Sequence, residues 1–179
     1  MQRALVIVDI QNDYFPGGAN PLDGPEHAAA NAARLLQRFR DNGEQVVHLQ
    51  HVWDEPEATF MKPGTPGVEI HDSVTPADGE PVLQKAFPNG FVGTSLEADL
   101  RAAGADEVVV CGMMTSMCVD ATVRAAADLG FTVTVAHDAC ATMPLSFGGV
   151  DVPAPSVHAA FLAALADGYA SVVPTADLA

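Results

Sequence analysis

The segment ALVIVDIQ, residues 4–11, decides the fold. It is a continuous apolar run that ends in Asp9 and Gln11, and such a run is typical of a strand buried on both faces. A charged side chain at the end of the run has to be paired or face a cleft, because burying an unpaired carboxylate is costly. Asp9 is therefore a candidate general base, although an aspartate at this point could also cap a helix or order a loop.

Outward from this segment, strand and helix patterns alternate along the chain, which predicts a mostly parallel sheet with helices on both faces. We expect one domain over residues 1–179, an α/β protein built as a three-layer α/β/α sandwich around a Rossmann-like sheet. Ligands bind such sheets at the carboxyl ends of the strands. Further strands are predicted at 46–49, 107–111, 131–136 and 170–173, with a short extended piece at 81–84. Four helices are predicted. One starts at Pro25, and a second follows a Thr94–Glu97 capping box. The third runs from about Met117 to Leu129, and the fourth contains His158, Phe161 and Leu165. Residues 52–80 and 143–155 are rich in proline and glycine and are predicted to be loops.

The charge excludes several classes of partner. The chain carries 23 acidic and 8 basic residues, a formal net charge of −15. So few basic residues cannot form a patch that neutralises phosphates, so we expect neither nucleic acid nor an anionic membrane as a partner. No apolar run has the length of a membrane helix, and the first residues lack the pattern of a signal peptide. We therefore expect a cytoplasmic protein.

Cys118 is the sharpest chemical feature of the sequence. The cysteines, Cys111, Cys118 and Cys140, are odd in number and widely spaced, which disfavours a disulfide framework. Cys118 falls in the first turn of a predicted helix, where a cap by Thr115 and the helix dipole would stabilise a nucleophilic thiolate. The alternative is a small residue packed in the core, which is the role expected of Cys111 and, for the most part, of Cys140.

Lys85 is one of two lysines in the chain, and it follows the short extended piece at 81–84. Its apolar neighbours suggest an enclosed position, from which it could hold Asp9 and a thiolate in one charge network. The alternative is a surface lysine whose stem covers apolar groups.

Three stretches of the chain together resemble a known family. They are VIVDIQND at 6–13, QKAFPNGF at 84–91 and VCGMMTSMCVDAT at 110–122. In this order and spacing they resemble the isochorismatase-like cysteine hydrolases, a superfamily that includes nicotinamidases, N-carbamoylsarcosine amidohydrolases, maleamate amidohydrolases and streptothricin hydrolases. The resemblance implies a catalytic triad of Asp9, Lys85 and Cys118, a cis peptide bond between Met113 and Met114, and an oxyanion hole formed by the amides of Met114 and Cys118. It also implies a homodimer or homotetramer.

Two departures from the family pattern bear on the substrate. Nicotinamidases carry an Asp-x-His run that holds a metal, whereas LQHVW at 49–53 puts His51 and Trp53 in those places. We therefore expect no metal and no cofactor, although His48, His51 and His71 offer imidazole ligands. Gly90 stands where the family usually has a serine, so one pocket hydrogen bond is either absent or supplied by Asn89. The predicted pocket residues are Phe15, Trp53, Phe87, Asn89, Phe91 and Met114.

The resemblance implies acyl transfer through a thioester, and hence hydrolysis of an amide-type C–N bond. Two alternatives remain open. One is the isochorismatase reaction, cleavage of a vinyl ether, which requires Asp9 as an acid and no thiolate. The other is a family member that serves as a binding module without turnover.

Overall fold

A computed structural model describes residues 2–178, and its centre is a six-stranded sheet in which every pairing is parallel. The order β3-β2-β1-β4-β5-β8, with helices in the connections, confirms the predicted α/β fold. A separate antiparallel hairpin pairs β6 with β7. The strands are β1 (Arg3–Val8), β2 (Gln45–His51), β3 (Val82–Lys85), β4 (Glu107–Met113), β5 (Thr132–Ala141), β6 (Leu145–Phe147), β7 (Val150–Val152) and β8 (Ser171–Val173).

Helices cover both faces of the sheet. They are α1 (Pro25–Asp41), α2 (Leu96–Ala102), α3 (Asp120–Asp128) and α4 (Ala154–Gly168). The chain leaves β1 in one direction along the sheet and β4 in the other, and right-handed crossovers therefore put α1 on one face and α3 and α4 on the other. In agreement, α3 packs on α4, while α1 packs on the central strands and the C-terminal turn. No helix within residues 2–178 is both long enough and apolar enough to cross a bilayer.

The contact between β1 and β4 fixes the place of the site. The connections to β2 and β5 run in opposite directions from these neighbouring strands, so a crevice opens between their carboxyl ends. The two strands approach closely at Gly112. Its φ is +129°, and a Cβ atom there would lie 2.0 Å from the carbonyl oxygen of Val8. Only glycine satisfies both constraints.

Some local predictions were wrong in detail. The Thr94–Glu97 capping box does not form. Thr94 Oγ1 accepts a hydrogen bond from the N–H of Leu96 at 3.2 Å, and Ser95 Oγ donates to Asp99. The helix after β4 starts with a single π-helical turn, Thr115–Val119, before α3. Strand β5 extends five residues beyond the predicted end at 136.

The predicted loop at 143–155 contains the β6–β7 hairpin. Gly148 and Gly149 form its turn with positive φ angles of 59° and 80°, which favour a tight hairpin connection. Each strand has only three residues, too few for an alternating pattern to be visible in the sequence. The hairpin leaves Phe147 91% exposed.

Gly112→Ala tests the close approach of β1 and β4. Both the positive φ and the contact with Val8 oppose the added methyl group, so we expect the free energy of unfolding to fall by at least about 2 kcal/mol. The matched control is Gly168→Ala in α4, where a Cβ meets nothing within 4 Å. It should leave stability unchanged or raise it by up to about 1 kcal/mol. Urea denaturation of the two variants measures the difference, and equal stabilities would contradict the packing described above.

Candidate active site

Three predicted residues meet at the carboxyl edge of the sheet. Asp9 follows β1 directly, Lys85 is the last residue of β3, and Cys118 lies in the π-helical turn after β4. All three are buried. An oxygen of Asp9 and the Sγ of Cys118 lie within 4.8 Å of each other, and Lys85 Nζ lies 2.7 Å from Asp9 Oδ2. Segments that are far apart in the sequence thus place a carboxylate, an ammonium and a thiol close together.

Asp9 has an unusual backbone conformation. Its φ is +47°, a left-handed value that is uncommon for residues other than glycine, although aspartate tolerates it better than most. The N–H of Asp9 still donates to the carbonyl of Leu49 at 3.1 Å, so the residue stays attached to β2 while its side chain turns into the crevice. Neither carboxylate oxygen accepts a well-directed hydrogen bond within residues 2–178, so the contact of Oδ2 with Lys85 is chiefly one of charge. Oδ1 is left available for a proton.

The ammonium of Lys85 has three partners. Besides Asp9, it contacts His51 Nδ1 at 3.3 Å and donates to the carbonyl of Phe87 at 3.1 Å. Burial lowers the pKa of Lys85, but its interactions with Asp9 and Cys118 raise it by more, so the net shift is upward. Lys85 is therefore a fixed cation, and it does not cover apolar surface as an exposed lysine would.

The turn that carries Cys118 is held by neighbours on both sides. Thr115 Oγ1 lies 2.9 Å from His158 Nδ1 on α4, and Ser116 Oγ lies 2.8 Å from Thr142 Oγ1 after β5. Thr115 is not the helix cap that we expected, because its hydroxyl is engaged with His158 and Met114 precedes the turn. The peptide bond between Met113 and Met114 is cis.

The expectation of a resting thiolate at Cys118 was also wrong. Burial raises the pKa of Cys118 well above its ordinary value, the Asp9 carboxylate raises it further, and Lys85 offsets only part of this. The resting site therefore holds a neutral thiol beside the Asp9 side chain. Such a pair can act only if the carboxylate accepts the proton as the sulfur attacks.

Gln11 is a buried residue of the site that the sequence did not single out. Its side-chain oxygen accepts from the N–H of His51 at 2.8 Å, and its Nε2 donates to the carbonyls of His51 at 2.8 Å and Val68 at 2.7 Å. One amide thus fixes the backbone at the end of β2 and a loop of the 52–80 segment. The available signal was a polar residue two positions after Asp9 in an apolar run.

The three histidines considered for a metal do not gather. His48 Nε2 bonds to Glu80 at 2.9 Å, and His71 stacks on Phe15 with ring centroids 3.7 Å apart. Within residues 2–178, the one group of potential ligands is Asp9, His51 and Cys118. A metal ion would fit poorly there, because the Lys85 ammonium already contacts both the carboxylate and a ring nitrogen of His51.

The predicted pocket residues occupy different settings. Met114 is buried next to the nucleophile turn, and Phe87 is 55% exposed on a groove of about 320 Å³ that also borders Lys85. Phe15 lines a larger cleft of about 740 Å³. Trp53 packs edge-on against Phe60 at 5.4 Å, and Phe60 lines that larger cleft.

Asn89 and Phe91 are engaged locally. Asn89 Oδ1 accepts from the N–H of Phe91 at 2.9 Å, and the ring of Phe91 stacks on Phe131 at 6.4 Å. A Cβ at Gly90 would lie 2.5 Å from Leu49 Cδ1, so a serine there would require Leu49 to move. The roles of these residues toward a substrate stay predictions.

Comparison with known proteins gives consistent matches to one family. The model of the isochorismatase domain matches residues 3–177. The uncharacterized isochorismatase family protein YddQ of Bacillus subtilis is 50% identical over 175 residues, which cover 98% of this chain and 97% of YddQ. A streptothricin hydrolase of Streptomyces noursei is 41% identical over 140 residues, 78% of this chain and 50% of that protein. A maleamate amidohydrolase of Pseudomonas putida is 35% identical over 150 residues, 75% of this chain and 70% of that protein.

Solved structures agree with these matches. A protein of Oleispira antarctica superposes with a TM-score of 0.95 and 47% identity, covering 99% of this chain and 95% of that one. The N-carbamoylsarcosine amidase of Thermoplasma acidophilum superposes with a TM-score of 0.82 and 28% identity, covering 98% and 97%.

Asp9→Asn tests the electrostatics of the thiol. The substitution removes the charge that opposes ionisation of Cys118 but leaves the Lys85 ammonium in place, so we expect the pKa of Cys118 to fall and the thiolate fraction at neutral pH to rise. Ultraviolet absorbance of the thiolate across a pH titration measures the shift, and Cys118→Ala supplies the background from the other two cysteines. If the pKa stays constant or rises, Asp9 does not control the ionisation of Cys118.

Proposed function

The chain belongs to the isochorismatase family, and on that premise we propose that it is a cysteine hydrolase that cleaves an amide-type C–N bond of a small molecule. The observation that carries the proposal is the position of Cys118. Its sulfur lies within 4.8 Å of a carboxylate oxygen of Asp9, and Lys85 pairs with the same carboxylate. A thiol beside a general base, with the base oriented by a third group, is the arrangement of a nucleophilic hydrolase.

The first half of the reaction forms a thioester. Asp9 takes the proton of Cys118 as the sulfur attacks the substrate carbonyl, because the resting thiol is neutral. The N–H groups of Met114 and Cys118 donate to the developing oxyanion. Protonated Asp9 then gives its proton to the leaving nitrogen, the C–N bond breaks, and an amine or ammonia departs.

The second half of the reaction regenerates the thiol. Asp9, again a carboxylate, accepts a proton from water as that water attacks the thioester carbonyl. The carboxylic acid product departs, and the sulfur recovers the proton held by Asp9. Lys85 stays charged throughout and holds Asp9 in place, a role supported by its three contacts and its upward pKa shift.

The relatives support the choice of a C–N bond. Two of the matched proteins are by name an amidohydrolase and an amidase, which act on maleamate and N-carbamoylsarcosine. Cleavage of a vinyl ether, the alternative, would use Asp9 as the acid and water as the nucleophile. It gives no role to a thiol placed beside the carboxylate.

A screen of small amides for released ammonia or amine tests the proposal. With the best substrate, Cys118→Ala should lose on the order of a thousandfold or more in kcat, because the covalent route is removed. Asp9→Asn should also be inactive, since its thiolate has no acid to protonate the leaving nitrogen. Cys140→Ala, a buried cysteine outside the three catalytic residues, is the matched control and should keep its activity. If Cys118→Ala keeps a large share of activity while Asp9→Asn is inactive, vinyl ether cleavage is favoured instead.

Removal of metal ions tests the conclusion that the group of Asp9, His51 and Cys118 does not hold a metal ion. Because the Lys85 ammonium occupies this group, we expect the rate on the same substrate to be unchanged after exhaustive dialysis against a chelator. Elemental analysis of the dialysed protein confirms that metal has been removed. A strict loss of activity that zinc or iron restores would contradict this prediction.

A further inference from the structure

His51 has a defined protonation state. The ammonium of Lys85 has donors and no acceptor, so the His51 Nδ1 that it contacts at 3.3 Å must offer a lone pair. The proton of the neutral ring therefore sits on Nε2. Burial and the charge of Lys85 lower the pKa of His51, which is consistent with a neutral ring.

The Nε2–H group of His51 is available to a ligand. No hydrogen bond within the described chain, residues 2–178, involves this nitrogen, and it is not fully buried. One ring nitrogen of His51 lies within 4.8 Å of both Asp9 and Cys118, and the two nitrogens are separated by a single carbon atom. Gln11 holds the His51 backbone at both its N–H and its carbonyl, so the ring is presented from a fixed position.

Within residues 2–178, the three catalytic residues offer no unpaired cation to a substrate. Lys85 is neutralised by Asp9 at 2.7 Å, and the other basic residues lie elsewhere in the part of the chain that the structure describes. Four of them pair with carboxylates: Arg3 with Glu44, Arg40 with Glu80, Arg101 with Glu97 and Arg124 with Asp120. Arg34 and Arg38 line a cleft on α1, and Lys62 lines the cleft that Phe15 and Phe60 also border. A carboxylate on the acyl part of a substrate would face Asp9 without compensation.

We propose that His51 is a specificity-determining residue, which binds an uncharged carbonyl oxygen of the substrate through Nε2–H, so that Cys118 reacts with neutral acyl groups in preference to carboxylate-bearing ones. The inference rests on the proposed function and narrows it to a substrate class. A neutral donor favours amide, ester or ureido carbonyls without drawing in a full negative charge.

Alkylation of Cys118 tests the inference without a known substrate. Iodoacetamide and iodoacetate have nearly the same shape, but the first carries a neutral carbonyl and the second a carboxylate. Rates at Cys118 are followed by peptide mass spectrometry and compared with the rates of glutathione in the same buffer. We expect Cys118 to prefer iodoacetamide about tenfold more strongly than glutathione does.

Two variants separate substrate binding by His51 from its contact with Lys85. In His51→Asn the amide reaches the position of Nδ1, so an acceptor for Lys85 is kept and the Nε2 donor is lost. In His51→Gln the amide reaches the position of Nε2, so the donor is kept. We expect His51→Asn to lower the iodoacetamide rate on the order of fivefold, the effect of one hydrogen bond, and His51→Gln to stay within about twofold of the original protein.

The outcomes distinguish this inference from the proposed function. If Cys118 is not alkylated ahead of Cys111 and Cys140 in the original protein, the assignment of the nucleophile fails. If Cys118 is alkylated first but His51→Asn keeps the full rate and selectivity, the nucleophile stands and the substrate-binding role of His51 is overturned. A large loss in His51→Gln alone would make His51 a positioning residue for Lys85 and would likewise overturn the inference.

Discussion

A carboxylate and an ammonium, Asp9 and Lys85, face each other across 2.7 Å in a region that water does not reach. Burying two charges is costly, and their attraction offsets that cost only when the geometry is held closely. Losing one partner would leave the other charge unpaired, at a cost of about 3–5 kcal/mol. The carboxyl edge of the sheet is organised so that these two charges meet, because β1 and β3 end at nearly the same level along the strand direction. Burial and the Asp9 carboxylate raise the pKa of Cys118, and burial and the Lys85 ammonium lower the pKa of His51.

The scaffold holds this pair and the thiol from both halves of the sheet. On one side, Gln11 fixes the end of β2. On the other, His158 of α4 and Thr142 after β5 hold the turn that carries Cys118. Hydrogen bonds from Gln11, His158 and Thr142 thus hold the backbone around the site, and each reacting atom is placed by packed elements. Such preorganisation is what allows a neutral thiol and a carboxylate to react only when a carbonyl is placed between them.

Much of this arrangement could be predicted from the sequence. The apolar run before Asp9 and the alternation after it predict the parallel sheet, and the family resemblance of three motifs implies that Asp9, Lys85 and Cys118 meet. The protonation state of Cys118 could not be predicted, because it depends on the burial of the thiol and on its distance from Asp9 in the fold. The cap expected from Thr115 does not form, because its hydroxyl pairs with His158, 43 residues away. The role of His51 depends on the register between β2 and β3, in which His51 lies opposite Lys85. The role of Gln11 depends on contacts with His51 and Val68, which are 40 and 57 residues away. The β6–β7 hairpin was not predicted, because its strands are too short to show an alternating pattern of apolar and polar residues.

The position of Lys85 in the sheet has a consequence for how the protein loses its active-site structure. Strand β3 has four residues and lies at the edge of the sheet, bonded to β2 on one side only. Edge strands fray at a lower free energy than the central strands, because fewer hydrogen bonds and contacts must be broken. Opening β3 withdraws the ammonium from Asp9 while β1 and β4 remain paired. We therefore expect warming or mild denaturant to disable the site before the molecule unfolds.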